Sequence, residues 1–215
     1  MINVLNLYAG LGGNRKLWKD VAVVAVEADP KIAAVYEKLH PEDDMFVEDA
    51  HALLPQVYDQ FDFIWSSPPC QSHSSMARAN SRTAPKYPEM DLYQQIIFLQ
   101  TYYKGYWAVE NVKPYYKPLI PPTCVVGRHY FWSNFPIVAE DVARPASFIN
   151  MQNLKGKKAL QDWLDIHFEE KLYYGTNHDP CQVLRNCVHP LLGKQVFDSF
   201  LALLLPSTHQ LKKIS

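Results

Sequence analysis

The strongest constraint on how this chain folds is the rhythm of its first half, where short apolar runs alternate with segments of helical periodicity. Asn3–Tyr8 reads as a buried strand, Asn14–Lys19 as the start of a helix, and Ala22–Glu27 as a second strand. A helix opening at Pro30 follows, with Ile32, Val35, Tyr36 and Leu39 on one face. Met45–Val47 and Phe61–Ser66 supply two more strands, Leu92–Tyr103 is helical, and Tyr106–Glu110 is a fifth strand. Strands separated by helices form βαβ units, so the expected class is α/β, a mostly parallel sheet with helices on both faces. Cys124–Trp132 reads as a later strand, and helices near Lys157–Ile166 and over Leu192–Leu205 close the chain. At 215 residues the chain holds one such domain, spanning 1–215, and no second domain of ordinary size.

In sheets of this kind ligands sit outside the carboxyl ends of the strands, so the residues just after each strand carry the functional information. The first strand runs into Tyr8-Ala9-Gly10-Leu11-Gly12-Gly13, a turn where glycines admit close backbone approach to a ligand or to a packed neighbour. The second ends at Glu27-Ala28, where a carboxylate either accepts the hydroxyls of a ribose or caps the helix at Pro30. The third is followed by Asp49-Ala50, an acceptor for an adenine amino group or a helix cap. The fourth ends in Ser67-Pro68-Pro69-Cys70-Gln71-Ser72. Two prolines stiffen the approach to a cysteine that is poorly placed for core packing and well placed as a nucleophile. The fifth ends in Val109-Glu110-Asn111-Val112, which adjacent parallel pairing brings near Cys70.

Two stretches break the rhythm. Ser67–Met90 is long, polar and aperiodic, as functional lids often are, and Lys113–Pro122 is punctuated by prolines. The formal charge of −1 excludes a globally basic nucleic-acid coat, so phosphate binding would rest on a local patch such as Arg78, Arg82 and Lys86. No apolar run is long enough to span a bilayer, and four cysteines without a secreted spacing pattern indicate a reduced, cytoplasmic chain. His178, Cys181, Cys187 and His189 fit no standard zinc spacing, so no metal is expected.

Taken in order, Tyr8 to Gly13, Glu27-Ala28-Asp29, Asp49, Pro69-Cys70-Gln71 and Glu110-Asn111-Val112 resemble the cytosine-5 DNA methyltransferase family, in particular its small phage and bacterial members. The resemblance implies a Rossmann-like, S-adenosylmethionine-dependent methyltransferase fold, with restriction protection or phage modification as the setting. It also implies transfer of a methyl group to C5 of cytosine through a covalent adduct between Cys70 and C6. By the same resemblance Glu110 would hold N3 and the exocyclic amine of the base, and Gln71 and Asn111 would complete the catalytic group. Tyr8, Gly10, Leu11, Gly12, Gly13, Glu27, Ala28, Asp49, Ala50 and Pro69 would surround S-adenosylmethionine, joined by Asn186 and Val188 from Leu184-Arg185-Asn186-Cys187-Val188. The partner would be DNA, with the target cytosine flipped out or single-stranded, because C5 and C6 are stacked inside a duplex.

The chain departs from the family pattern twice. Where the family carries an Arg-x-Arg pair, this sequence has Gly127-Arg128-His129, which leaves Arg128 or His129 to supply a donor to the base or the loop. Where the family inserts a large target recognition domain, only a short remnant, residues 134–156, precedes the late helix. Relaxed specificity, a partner protein that supplies recognition, or another substrate such as RNA or a free cytosine nucleotide would each account for that. A catalytically silent binding module is the reading from a different class.

Overall fold

The computed structural model describes residues 1–70, 89–174 and 178–204. Among the described residues seven strands form one sheet in the order β3-β2-β1-β4-β5-β7-β6: β1 Ile2–Leu7, β2 Val21–Val26, β3 Asp44–Phe46, β4 Phe63–Ser66, β5 Tyr106–Val112, β6 Cys124–Val126 and β7 His129–Ser133. The first five run parallel, and β7 pairs antiparallel with β5 and with β6. The helices are α1 Pro30–Leu39, α2 Ala50–Val57, α3 Asp91–Tyr102, α4 Leu154–Leu164, the short α5 Gln182–Arg185, and α6 Pro190–Leu204. This is the mostly parallel α/β sheet that the sequence rhythm led us to expect.

The central strands are continuous apolar runs because both faces are covered. Val4, Phe63, Trp65 and Ala108 turn to one side and meet Trp18, Phe197 and Phe200. Leu5, Ile64, Trp107 and Val109 turn to the other and meet Leu92, Ile96 and Leu99 of α3. Each large side chain buried this way contributes about 2–3 kcal/mol through removal of apolar surface from water. A third cluster places Leu11 of the glycine turn against Ile32 and Val35 of α1 and Leu160, Leu164 and Leu184.

β1 lies between β2 and β4, so the chain steps outward in one direction through β2 and β3, then in the other through β4 and β5. That reversal opens a crevice at the carboxyl ends of β1 and β4, where such sheets bind ligands.

Two local expectations are corrected. Asn14–Lys19 is a run of turns rather than a helix. The Arg15 and Lys16 N–H groups both donate to the Gly12 carbonyl, the Asn14 side chain donates to Asn6 Oδ1 at 2.8 Å, and Trp18 is drawn into the core with its Nε1 donating to the Gly193 carbonyl. A regular helix would point Asn14 and Trp18 elsewhere, and a Cβ on Gly193 of α6 would lie 2.5 Å from Asn14 Cα, which shows how close the elements are. Cys124–Trp132 is likewise a hairpin, not one strand: Val126 pairs with His129 across a two-residue turn in which Gly127 adopts φ +56°.

Candidate active site

The crevice holds a cavity of about 360 Å³, within the size range of small-molecule sites. Its first wall is the turn after β1. Tyr8 and Gly10 both take φ +56° and Gly12 φ +71°, a left-handed zigzag that glycine enters freely and tyrosine only under strain. The strained residue is tethered: Gln95 Nε2 donates to the Tyr8 hydroxyl, and Gln95 Oε1 accepts from Ser66 Oγ at 2.6 Å. A Cβ on Gly10 would meet nothing within 4 Å, so the absent side chain leaves a cradle facing the cavity.

Two carboxylates complete this end. Glu27 follows β2, and its Oε2 accepts from the Gly10 N–H at 3.0 Å while Oε1 accepts from the Asp29 N–H at 2.9 Å. Burial pushes the Glu27 carboxyl above its ordinary value, opposed by those backbone donors. The cap of α1 is Asp29, so Glu27 is left to face the cavity. Asp49 caps α2, with Oδ1 accepting from the His51 and Ala52 N–H groups at 2.8 and 3.4 Å, and the residue also borders the cavity. Leu11, Gly13, Ala28 and Ala50 line the same end, and Asn186 and Val188 close it from the segment before α6.

The other end is chemical. Ser67, Pro68, Pro69 and Cys70 line it from the end of β4, with Glu110, Asn111 and Val112 from the end of β5, where Ser66 pairs with Val109. Asn111 is buried and its side chain acts as a clamp: Nδ2 donates to the Pro68 carbonyl at 2.9 Å and Oδ1 accepts from the Val112 N–H at 2.9 Å. It thereby ties the Cys70 loop to β5. Glu110 is also buried, with Oε1 2.7 Å from His129 Nδ1 on β7. In the antiparallel register His129 stands opposite Val112, two positions from the Glu110–Phe131 pair and so on the same face, and the imidazole reaches the carboxylate diagonally across the strands. Burial pushes the Cys70 thiol above its ordinary value and the Glu110 charge adds to that, whereas Arg128 draws it down. Burial in turn holds the Arg128 guanidinium below its ordinary value, opposed by Glu110 and Cys70. These four groups share one electrostatic neighbourhood.

Nearly all residues singled out in the sequence meet at this cavity. Gly12 does not line it: a Cβ there would strike His40 and come within 2.7 Å of Tyr36, so this glycine serves packing beneath the turn. Gln71, with Arg78, Arg82 and Lys86, lies outside the described residues. Sequence reasoning missed Asn14, His51, Asp91, Cys187 and Tyr174. Tyr174 is the most central of these, hydrogen-bonded to Asn186 and electrostatically coupled to both Glu27 and Cys70. It stands in an irregular stretch without periodicity, so no local signal marks it. Among the described residues no three His, Cys, Asp or Glu side chains are grouped to hold a metal ion. Cys181 instead meets the Asn153 carbonyl at 3.4 Å, Cys187 the Val183 carbonyl at 3.5 Å, and His189 the Trp163 carbonyl at 3.0 Å. No helix among the described residues is long and apolar enough to cross a membrane.

A family model described as C-5 cytosine-specific DNA methylase matches residues 2–117, just over half of the chain and the five parallel strands β1 to β5. The chain belongs to the C-5 cytosine-specific DNA methylase family. Over 117 residues it is 31% identical to a tRNA (cytosine(38)-C(5))-methyltransferase of Spodoptera frugiperda, a match covering 51% of this chain and 35% of that protein. The methylase chain thus spans about a third of the length of that curated relative. A solved structure of a DNMT2 mutant from the same insect is similar at 30% identity, TM-score 0.39, covering 53% of this chain and 36% of that one. A methyltransferase of Entamoeba histolytica shares the fold over 96% of this chain and 99% of its own, with TM-score 0.57 at 11% identity.

Proposed function

We propose that this member of the C-5 cytosine-specific DNA methylase family methylates carbon 5 of cytosine in a nucleic-acid strand, using Cys70 as nucleophile and S-adenosylmethionine as methyl donor. The observation that carries the reading is the shared cavity, which joins Cys70 and Glu110 to an end built from Gly10, Glu27 and Asp49. The cofactor fits those residues. Gly10 leaves a cradle, Glu27 presents a carboxylate for ribose hydroxyls, Asp49 one for an adenine amine, and Asn186 and Val188 close the wall. When bound there, S-adenosylmethionine supplies an electrophilic methyl group.

This chain's own residues do the rest. C5 of cytosine is a poor nucleophile, and addition of the Cys70 sulfur to C6 pushes electrons onto C5, dividing one hard step into easier ones. A proton held between Glu110 and N3 of the base offsets the charge that develops on the ring during addition. His129, donating to Glu110, fixes where that carboxylate points. Once C5 carries the methyl group, a water molecule acting as base takes its proton, the C–H electrons re-form the C5–C6 double bond, and the S–C6 pair returns to the Cys70 sulfur as thiolate. Engagement of the base and activation of Cys70 are coupled. In the free protein the Glu110 charge disfavours the thiolate, and a proton shared with N3 removes that opposition.

DNA is the substrate favoured by the family. RNA is the second reading, supported by the insect tRNA methyltransferase at 31% identity. Transfer of a labelled methyl group to mixed-sequence DNA, to tRNA and to free dCMP, each with a Cys70→Ala control, tests both. Label in DNA lost in the control supports the first reading, and label in tRNA alone supports the second. Cofactor binding with no transfer to any substrate would overturn catalysis.

A further inference from the structure

Residues 134–156 occupy the place where a target-reading insert would be expected, yet they are fastened to the body of the molecule rather than presented to a ligand. Asn134 bonds the Trp107 N–H at 3.0 Å and the Gly105 carbonyl at 2.9 Å. Along α6, the Val138 N–H donates to Ser199 Oγ at 3.0 Å and the Glu140 N–H to Gln195 Oε1 at 2.6 Å. Further on, the Ala143 carbonyl accepts from Trp163 Nε1 at 2.9 Å, and the side chains of Ile137, Ala139 and Val142 pack on the core. These bonds are made largely by backbone groups and fix the path of the segment along the body of the molecule, while side chains such as Val138 and Ile149 stay exposed.

What it does hold is the turn that carries Arg128. The Asp141 carboxylate fills the space beneath Gly127 that a side chain would need, and it pairs with Arg144 at 3.8 Å. The buried Phe148 ring lies under two guanidinium groups, with Arg128 Cζ 5.7 Å and Arg144 Cζ 5.9 Å from its centroid. Contact through its face leaves the in-plane N–H donors of Arg128 available, and its side chain makes no hydrogen bond to any described residue. Arg128 lines the cavity beside Cys70 and Glu110.

We infer that residues 134–156 serve the chemistry rather than target reading: they brace Arg128 toward the Cys70–Glu110 pair, with Phe148 and Asp141 as positioning residues. The inference rests on Cys70 being the nucleophile, as proposed above, and assigns a second positive contribution to making it one. The aromatic face orients the guanidinium without itself neutralising it, and the charges that act on Arg128 besides Cys70 are the Glu110 and Asp141 carboxylates and the Arg144 guanidinium.

The test is the pH dependence of Cys70 alkylation by iodoacetamide in the free protein, read on its own peptide by mass spectrometry so that the other cysteines do not interfere. Arg128→Gln should slow alkylation at a fixed near-neutral pH by about tenfold, the equivalent of one unit in the thiol midpoint. Phe148→Leu, which removes the ring and keeps a packed side chain, should slow it about three- to tenfold, and Phe148→Tyr, which restores the ring, should return the wild-type profile. Matching thermal unfolding of the leucine and tyrosine variants separates bracing from loss of fold. Wild-type alkylation profiles in Arg128→Gln or Phe148→Leu would overturn the inference, as would a Phe148→Leu variant that changes only the sequence context of methylation. The assay needs neither cofactor nor nucleic acid, so it gives an answer even if methyl transfer is never detected, and methyl transfer can stand while the brace fails.

Discussion

Two glycines in one turn should fail in opposite ways when given a methyl group. Gly10 and Gly12 both hold left-handed φ, so alanine at either costs about 1–2 kcal/mol in backbone strain. Beyond that they part. A Cβ on Gly10 enters open cavity, so Gly10→Ala should lose no further stability while its methyl group occupies the cofactor cradle. A Cβ on Gly12 strikes buried His40, which is bonded to the Leu11 carbonyl at 3.3 Å, and crowds Tyr36, whose hydroxyl donates to Asp43 at 2.7 Å. Neither neighbour can swing away without breaking its bond, which adds about 1–3 kcal/mol of overpacking. Gly12→Ala should therefore lose about 2–5 kcal/mol in all. Denaturant unfolding of the free proteins, with calorimetric titration of S-adenosylhomocysteine, reads both quantities. Gly10→Ala should weaken binding at least about tenfold, near 1.4 kcal/mol, with a stability loss limited to the strain of about 1–2 kcal/mol. The reasoning is refuted if Gly12→Ala is as stable as Gly10→Ala, or if Gly10→Ala binds the cofactor analogue like wild type.

Replacing Asn111 with leucine strands the Pro68 carbonyl and the Val112 N–H in a buried place, which should cost about 2–4 kcal/mol in denaturant unfolding. It should also depress single-turnover methyl transfer more than cofactor affinity. His129→Ala leaves the buried Glu110 carboxyl without its partner and should lower kcat about ten- to hundredfold, with Asn recovering part of it. Burial holds His40 and His189 below the ordinary histidine value of 6.5, so the unfolded chain binds protons first as the medium acidifies. Stability is therefore expected to fall as pH drops through about 6.5, with a shallower fall in His40→Gln; identical pH profiles of Tm would count against it. Asp43→Asn removes the carboxylate that grips Arg15 at 2.7 and 2.8 Å and leaves the buried cation with the more exposed Glu42 at 3.1 Å, a loss of about 2–4 kcal/mol by the same unfolding assay.

The strand-end residues were legible because an α/β sheet converts sequence rhythm into position. Once β1, β2, β4 and β5 are recognised as parallel neighbours, Gly10, Glu27, Cys70 and Glu110 have to arrive at one edge. The missed features depend on contacts that close later in the chain. Asn14–Lys19 carries helical periodicity but yields to Asn6 and to Gly193, partners eight and roughly 180 residues away. Gly127 gives a turn signal that the apolar residues on both sides obscured, so a hairpin looked like one strand. Gly12 resembles a cofactor glycine in sequence, and only the position of His40 shows that it serves packing. Tyr174 reaches the site from an irregular segment, where no period announces which way a side chain turns.

The wall opposite the opening turn is built from the far end of the chain. Gly13 has no room for a side chain because the Val188 backbone lies against it, and Trp18 stacks on Phe197 with ring centroids 4.8 Å apart. On a ribosome, the first thirty residues would wait for some hundred and fifty more before gaining that backing. Until then the glycine loop lacks its second wall, and a nascent chain stalled before that wall is made should hold the proposed cofactor only weakly.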